Sequence, residues 1–171
     1  MEENMELFVS EAEVEDADML IDYFNQVGGE SDFLTYGLNE CKMNVLSEME
    51  LIEEMHEQEQ SCLLLGFIDD ELVSVASLIG ETQTRMSHTC ELGISVKKDY
   101  WHMSIGSSMM EELILYAKEH QIDVIYLEVR SDNMSAMGLY KKFGFIETGK
   151  MPKRFKIDNH YYDATMMALT L

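Results

Sequence analysis

An α/β fold is predicted, one mixed sheet with helices on both faces, and three observations predict it. Apolar residues recur at helical spacing from Val14 to Val27 and again from about Ile105 to Glu119. Short apolar runs bounded by turn residues fall between such stretches, Cys62 to Ile68 and Ile122 to Arg130 being the clearest. A strand–helix–strand order from His88 to Arg130 calls for a parallel, right-handed crossover inside the sheet.

In chain order, Leu7 to Ser10 is a short strand. Val14 to Val27 is a helix with Val14, Ala17, Leu20, Ile21 and Phe24 on one face, stopped by Gly28-Gly29. Ser31 to Cys41 has no clean period. Ser47 and Glu50 stand at capping-box spacing and open a helix through about Gln58. Cys62 to Ile68, a polar turn at Asp69-Asp70-Glu71, and Leu72 to Ile79 read as a hairpin. His88 to Val96 adds a third strand, with Cys90, Leu92, Ile94 and Val96 on one face and Glu91 on the other. After a break at Lys97 to Trp101, the helix from Ile105 buries Met109, Met110, Leu113, Ile114 and Ala117. Ile122 to Arg130 is a central strand. Ser135 to Phe143 is a helix ended by Gly144, and Phe145 to Gly149 and Tyr161 to Leu169 close a sheet of about seven strands.

The 171 residues suit one domain, 1–171, and 46% hydrophobic content is too high for a disordered chain. With 33 acidic and 12 basic residues the net charge is −21. That balance argues against nucleic acid and anionic membranes as partners, because both require clustered Lys and Arg. It favours cationic ligands. Three cysteines, an odd number, and an acidic stretch from Met1 to Glu6 without an apolar core predict reduced thiols and a cytoplasmic location. No apolar run approaches the ~18 residues of a membrane helix. The five histidines show no metal-ligand spacing with cysteine, so no metal is expected.

The chemistry concentrates in the second half. In Trp101-His102-Met103-Ser104-Ile105-Gly106-Ser107, a glycine lies at a helix start, where uncovered backbone N–H groups and the helix dipole can hold a pyrophosphate without lysine. Further on, Leu127-Glu128-Val129-Arg130-Ser131-Asp132-Asn133 precedes Ala136, Leu139-Tyr140 and Phe143-Gly144-Phe145. That is a buried strand, an asparagine at a helix start, a short helix with a tyrosine, and a glycine stop.

These segments resemble the cofactor site of the GNAT superfamily of N-acetyltransferases. The resemblance covers roughly Leu7 to Leu169 and is strongest from His88 to Gly149. Its nearest motif match is to ribosomal-protein-alanine N-acetyltransferases. It implies a largely antiparallel, twisted sheet with a splayed central strand pair, and an acetyl-CoA-dependent N-acetyltransferase that works by direct transfer in a ternary complex. In the family the phosphate turn reads Gln/Arg-x-x-Gly-x-Gly/Ala. Here Trp101 and Ser104 depart from it and Gly106 keeps it. The resemblance assigns His102, Met103, Ser104, Ile105, Gly106 and Ser107 to the pyrophosphate, and Ile94, Ser95 and Val96 to pantetheine and the thioester carbonyl. Asn133 is assigned to pantetheine, and Tyr140 to protonating the departing thiolate. Glu128 matches the base of the ribosomal type and Glu91 that of the histone type; both remain candidates.

Read without the resemblance, Asn133 is an N-cap, Tyr140 a packing residue, Glu128 a partner for Arg130, and Glu91 an exposed strand residue. Two other functions stay open: a catalytically weak CoA-binding regulatory domain, suggested by Trp101 and Ser104, and a plain α/β interaction module. The acceptor is an amine, small molecule or peptide, with cations favoured by charge. The oligomeric state, monomer or homodimer, is open.

Overall fold

The structure, a computed structural model, describes residues 6–171, so most of the acidic start weighed against a signal peptide lies outside the described residues. β1 (Phe8–Glu11) leads through a 3₁₀ turn into α1 (Ala17–Gly28), and α2 (Val45–Glu57) follows a long loop. β2 (Cys62–Ile68), β3 (Glu71–Gly80) and β4 (Thr89–Val96) form a meander. Then come α3 (Ile105–Glu119), β5 (Val124–Arg130), α4 (Met134–Lys142), β6 (Ile146–Ile157) and β7 (His160–Thr170). The sheet order is β1-β2-β3-β4-β5-β7-β6. Every neighbouring pair is antiparallel except β4 and β5, which are parallel.

Local chemistry explains the two tight hairpins. Asp69 and Asp70 take φ of 47° and 65°, and Asp158 and Asn159 take 47° and 64°. Consecutive positive φ values give type I′ turns, whose twist matches that of paired strands. The second turn corrects an expectation. β7 lies where Tyr161 to Leu169 is expected, but β6 is not a short strand from Phe145 to Gly149: it runs 12 residues and forms a long hairpin with β7 around Asp158-Asn159. The helix expected to open at Ser47 opens earlier, because Asn44 is its N-cap: Ser47 N–H donates to Asn44 Oδ1 at 3.0 Å.

Alternation along the strands divides the core into two layers. On β2, Cys62 and Leu64 pack with Met109, Met110 and Leu113 of α3 and with Met137 and Tyr140 of α4. Leu63 and Leu65 point the other way, onto Leu20 and Tyr23 of α1 and Ile52 of α2. The buried apolar part of the second layer rests on β2 and β3; α1 reaches β4 at Ser95, beside Tyr23, and no residue of β5 or β7 belongs to that layer.

The site depends on how β4 and β5 meet. They share three residue pairs, Thr89↔Val124, Cys90↔Ile125 and Glu91↔Tyr126, and no more. Beyond that point Leu92–Val96 stays paired to β3, and Leu127–Arg130 stays paired to β7. The sheet is therefore split between its two central strands, as the resemblance implies.

Candidate active site

The split leaves backbone groups open. Lys97 N–H donates to Val73 O at 2.8 Å, toward β3. Strand N–H groups alternate sides, so those of Ile94 and Val96 point the opposite way, into the gap. Their side chains pack on the α3 and α4 layer, whereas Ser95 faces the other side, where its Oγ lies 3.0 Å from the Tyr23 hydroxyl. Trp101, which stands where the family places a polar residue, donates from Nε1 to Val96 O at 2.8 Å. The indole thus ties the strand end to the turn that follows.

That turn ends at Ser104, which takes φ 62° and ψ 6°. This is the left-handed conformation that glycine adopts freely and that costs an L-residue roughly 1 kcal/mol. Ser104, where the resemblance expects glycine, thus holds a backbone conformation suited to glycine and makes no side-chain cap. Ser108 N–H is the first in α3 to find a helical acceptor, Ser104 O at 3.1 Å. The N–H groups of Ile105, Gly106 and Ser107 stay open at the positive end of the helix dipole. Gly106 also lets α3 approach α4, since a Cβ there would lie 3.1 Å from Leu139 Cδ2. A cation reinforces the turn: Lys142 of α4 donates to Ser107 Oγ at 3.1 Å. The sequence reading missed Lys142. Its only signal is its place in the last turn of α4, which does not reveal that α4 ends beside the start of α3.

Asn133 caps α4, its Oδ1 accepting from Ala136 N–H at 3.2 Å. Tyr140 is buried in the α3 and α4 layer, its ring centroid 5.8 Å from that of Phe145. Burial pushes its phenol up to about 12, and its hydroxyl has no hydrogen-bond partner among the described residues. The group is therefore neutral and loaded with its proton throughout the working pH range.

The two candidate bases lie on the opposite, uncovered face. Glu91 is the last β4 residue paired to β5, and Glu128 lies two residues past its partner Tyr126. Both line a cavity of about 200 Å³ with Glu81, Tyr126, Met151 and Met166. Glu128 does not pair with Arg130, as the sequence left open. Arg154 of β6 donates from Nε to Glu128 Oε1 at 2.6 Å instead. Arg130 is engaged elsewhere: it donates to both oxygens of Asp132 at 2.7 and 2.9 Å and lies between the rings of Phe33 and Tyr162. This pins the loop after α1 to the end of β5. Asp132 is held below its ordinary range by the Arg130 hydrogen bond. Cys90, also at the cavity, has its thiol pushed up to about 12 by burial, so it is not a thiolate nucleophile at neutral pH.

The candidate acid and the candidate bases are thus on opposite faces of the sheet, joined by the gap between β4 and β5. An extended chain in that gap would find unpaired strand N–H groups along its length and a row of helix N–H groups at one end. Those features fit the amide-bearing pantetheine and the pyrophosphate of a CoA thioester.

Comparison with known proteins agrees. The model of the acetyltransferase (GNAT) family matches residues 30–145. The L-amino acid N-acetyltransferase AaaT of Escherichia coli is 31% identical over 106 residues, covering 61% of this chain and 65% of that protein. An N-alpha-acetyltransferase of Sulfurisphaera tokodaii is 35% identical over 113 residues, covering 63% of this chain and 64% of that protein. The chain therefore spans just under two thirds of the length of these curated relatives. Among solved structures, a GNAT-family acetyltransferase from Streptococcus pneumoniae superimposes with a TM-score of 0.94 at 26% identity, over 97% of this chain and 100% of that one. The yncA structure of Salmonella typhimurium, solved with its cofactor acetyl-CoA, has a TM-score of 0.84 at 17% identity, over 96% and 94% of the two chains. By fold, by the split between β4 and β5, and by sequence, the chain belongs to the GNAT acetyltransferase family.

Proposed function

We propose that the protein transfers an acetyl group from acetyl-CoA to a primary amine, directly, with both substrates bound at once. The observation that carries this is the gap between β4 and β5, with an acid on one face and carboxylates on the other. Bound acetyl-CoA supplies an acetyl group already activated as a thioester. The N–H groups of Ile94 and Val96 pair with the pantetheine and polarise the thioester carbonyl, as dipoles aimed at developing charge. Ser95 lines the strand between them. The turn His102, Met103, Ser104, Ile105, Gly106 and Ser107 holds the pyrophosphate, aided by Lys142, and Asn133 adds a contact to pantetheine.

The acceptor enters on the uncovered face. Glu128, or Glu91 beside it, takes one proton from the ammonium. The freed nitrogen bonds to the carbonyl carbon and the carbon–sulfur bond breaks. Tyr140 gives its proton to the sulfur, and the second nitrogen proton returns through solvent to the phenolate. The net release is one proton per turnover.

Cofactor binding has a direct test. Gly106→Glu adds a Cβ against Leu139 and a carboxylate at an anion site. Calorimetry is expected to show saturable acetyl-CoA binding to the wild type, weakened at least about tenfold in the variant. Absence of binding at millimolar CoA sinks the proposal and favours a plain interaction module.

The acceptor we propose is a cationic amine. The cavity sets Glu81, Glu91 and Glu128 against the single guanidinium of Arg154, within a chain of charge −21. The relatives include an L-amino acid N-acetyltransferase, an N-alpha-acetyltransferase and, in an Escherichia coli protein 29% identical over 90 residues, an alanine N-acetyltransferase of ribosomal protein bS18. A screen of amino acids, polyamines, aminoglycosides and N-terminal peptides, read by thiol release, is expected to rank polycations first, with rates that fall as salt is added. Fastest reaction of acidic acceptors, or no salt effect on cations, counts against it. Binding of acetyl-CoA with no transfer to any amine would favour the regulatory reading that Trp101 and Ser104 suggest.

A further inference from the structure

The hairpin of β6 and β7 contains a bulge in its edge strand. Met151 pairs with Ala164 and Phe155 with Tyr162, so Pro152, Lys153 and Arg154 of β6 stand opposite Asp163 alone. Lys153 is held at φ 53°, and its N–H donates to Asp163 Oδ1 at 2.8 Å. Bulges of this kind bend a strand and re-aim a side chain. Here the re-aimed side chain is Arg154. β7 lies between β6 and β5, and neighbouring strands are about 4.8 Å apart, so a β6 side chain ordinarily meets β7 and not β5. Arg154 crosses β7 and donates from Nε to Glu128 Oε1 at 2.6 Å.

We propose that Arg154 is a positioning residue for the acetyl transfer: it holds Glu128 by one oxygen and leaves the other for the acceptor ammonium. The inference rests on Glu128 being the base. Glu128 Oε2 receives no protein donor among the described residues. The charged groups that line the same cavity are Glu81, past the end of β3, and Glu91 of β4, both of which repel the Glu128 carboxylate. From β7 only Met166 and Met167 reach the cavity, and on β5 Arg130 is taken by Asp132. Arg154 is therefore the cation that keeps this carboxylate turned inward. An exposed ion pair adds little stability, and half of the Arg154 side chain is exposed, so stability does not account for this contact.

The test compares wild type, Arg154→Met, Arg154→Lys, Glu128→Gln and the Arg154→Met/Glu128→Gln double variant. Each is assayed with acetyl-CoA and spermidine, or with the amine of the screen that reacts fastest. Arg154→Met is expected to lower kcat about tenfold or more, the order lost when a reacting group is misplaced, with KM for acetyl-CoA unchanged. Arg154→Lys is expected to restore part of the rate, because an ammonium supplies charge without the fixed guanidinium geometry. The double variant is expected to be no slower than Glu128→Gln alone, the mark of residues acting as a unit. Melting temperatures within about 2 °C of wild type show that the fold is intact. A wild-type kcat in Arg154→Met, or losses that multiply in the double variant, overturns the proposal while Glu128→Gln, if slow, leaves the base assignment standing. A wild-type rate in Glu128→Gln removes the base assignment and this proposal with it.

Discussion

Tyr140→Phe is expected to lower kcat by about 100-fold or more, the range for loss of a general acid. The change removes one hydroxyl and keeps the ring against Phe145. Because that hydroxyl has no partner among the described residues, its removal orphans no protein group and the fold is expected to hold. Acetyl-CoA affinity is expected to change little, since the hydroxyl acts on charge that develops only during reaction. The loss is also expected to be the same from pH 6 to pH 10, about two pH units below the phenol's ionisation near 12, because the group stays protonated throughout. Steady-state rates read by thiol release across that range, with calorimetry for affinity, check both points. A wild-type rate in Tyr140→Phe would remove the tyrosine from the mechanism.

Glu128→Gln is expected to cost about 100-fold or more, and raising the pH is expected to recover part of the loss, because an acceptor that arrives as the free amine needs no base to start the attack. Glu91→Gln is expected to keep the wild-type rate and profile. The Arg154 contact favours this assignment, because it holds one of the two carboxylates in a fixed geometry. Exchange of the two behaviours would make Glu91 the base and Glu128 a bystander that pairs with Arg154. Wild-type profiles in both would end the proposal of a carboxylate base.

Much of the scaffold was legible in the chain. The helix Ile105–Glu119 falls where helical spacing puts it, and the strand Cys62–Ile68 where an apolar run bounded by turn residues puts it, because both signals are local properties. The Asn133 cap was legible for the same reason: its acceptor oxygen serves a donor three residues away. The errors also have local causes. Capping-box spacing points to Ser47 and Glu50, but Asn44 is as good an acceptor and takes the cap three residues earlier. The strand read as Phe145 to Gly149 continues through Pro152 and a run of basic residues to Ile157. These residues belong to an edge strand, where proline, lysine and bulges are tolerated and block pairing with other chains.

The sequence by itself determined the order of elements, the family, and which residues are candidates for the site. Only the tertiary structure decided that β4 and β5 separate after Glu91, because strand pairing is a relation between segments with no shared pattern in either. It alone placed Lys142 at the start of α3, 35 positions along the chain from Ser107, and Arg154 on Glu128 across an intervening strand. Contacts of that kind depend on how sheets and helices pack, and a one-dimensional period carries no record of them. For that reason, which charges surround each candidate carboxylate was written in the fold and not in the motif.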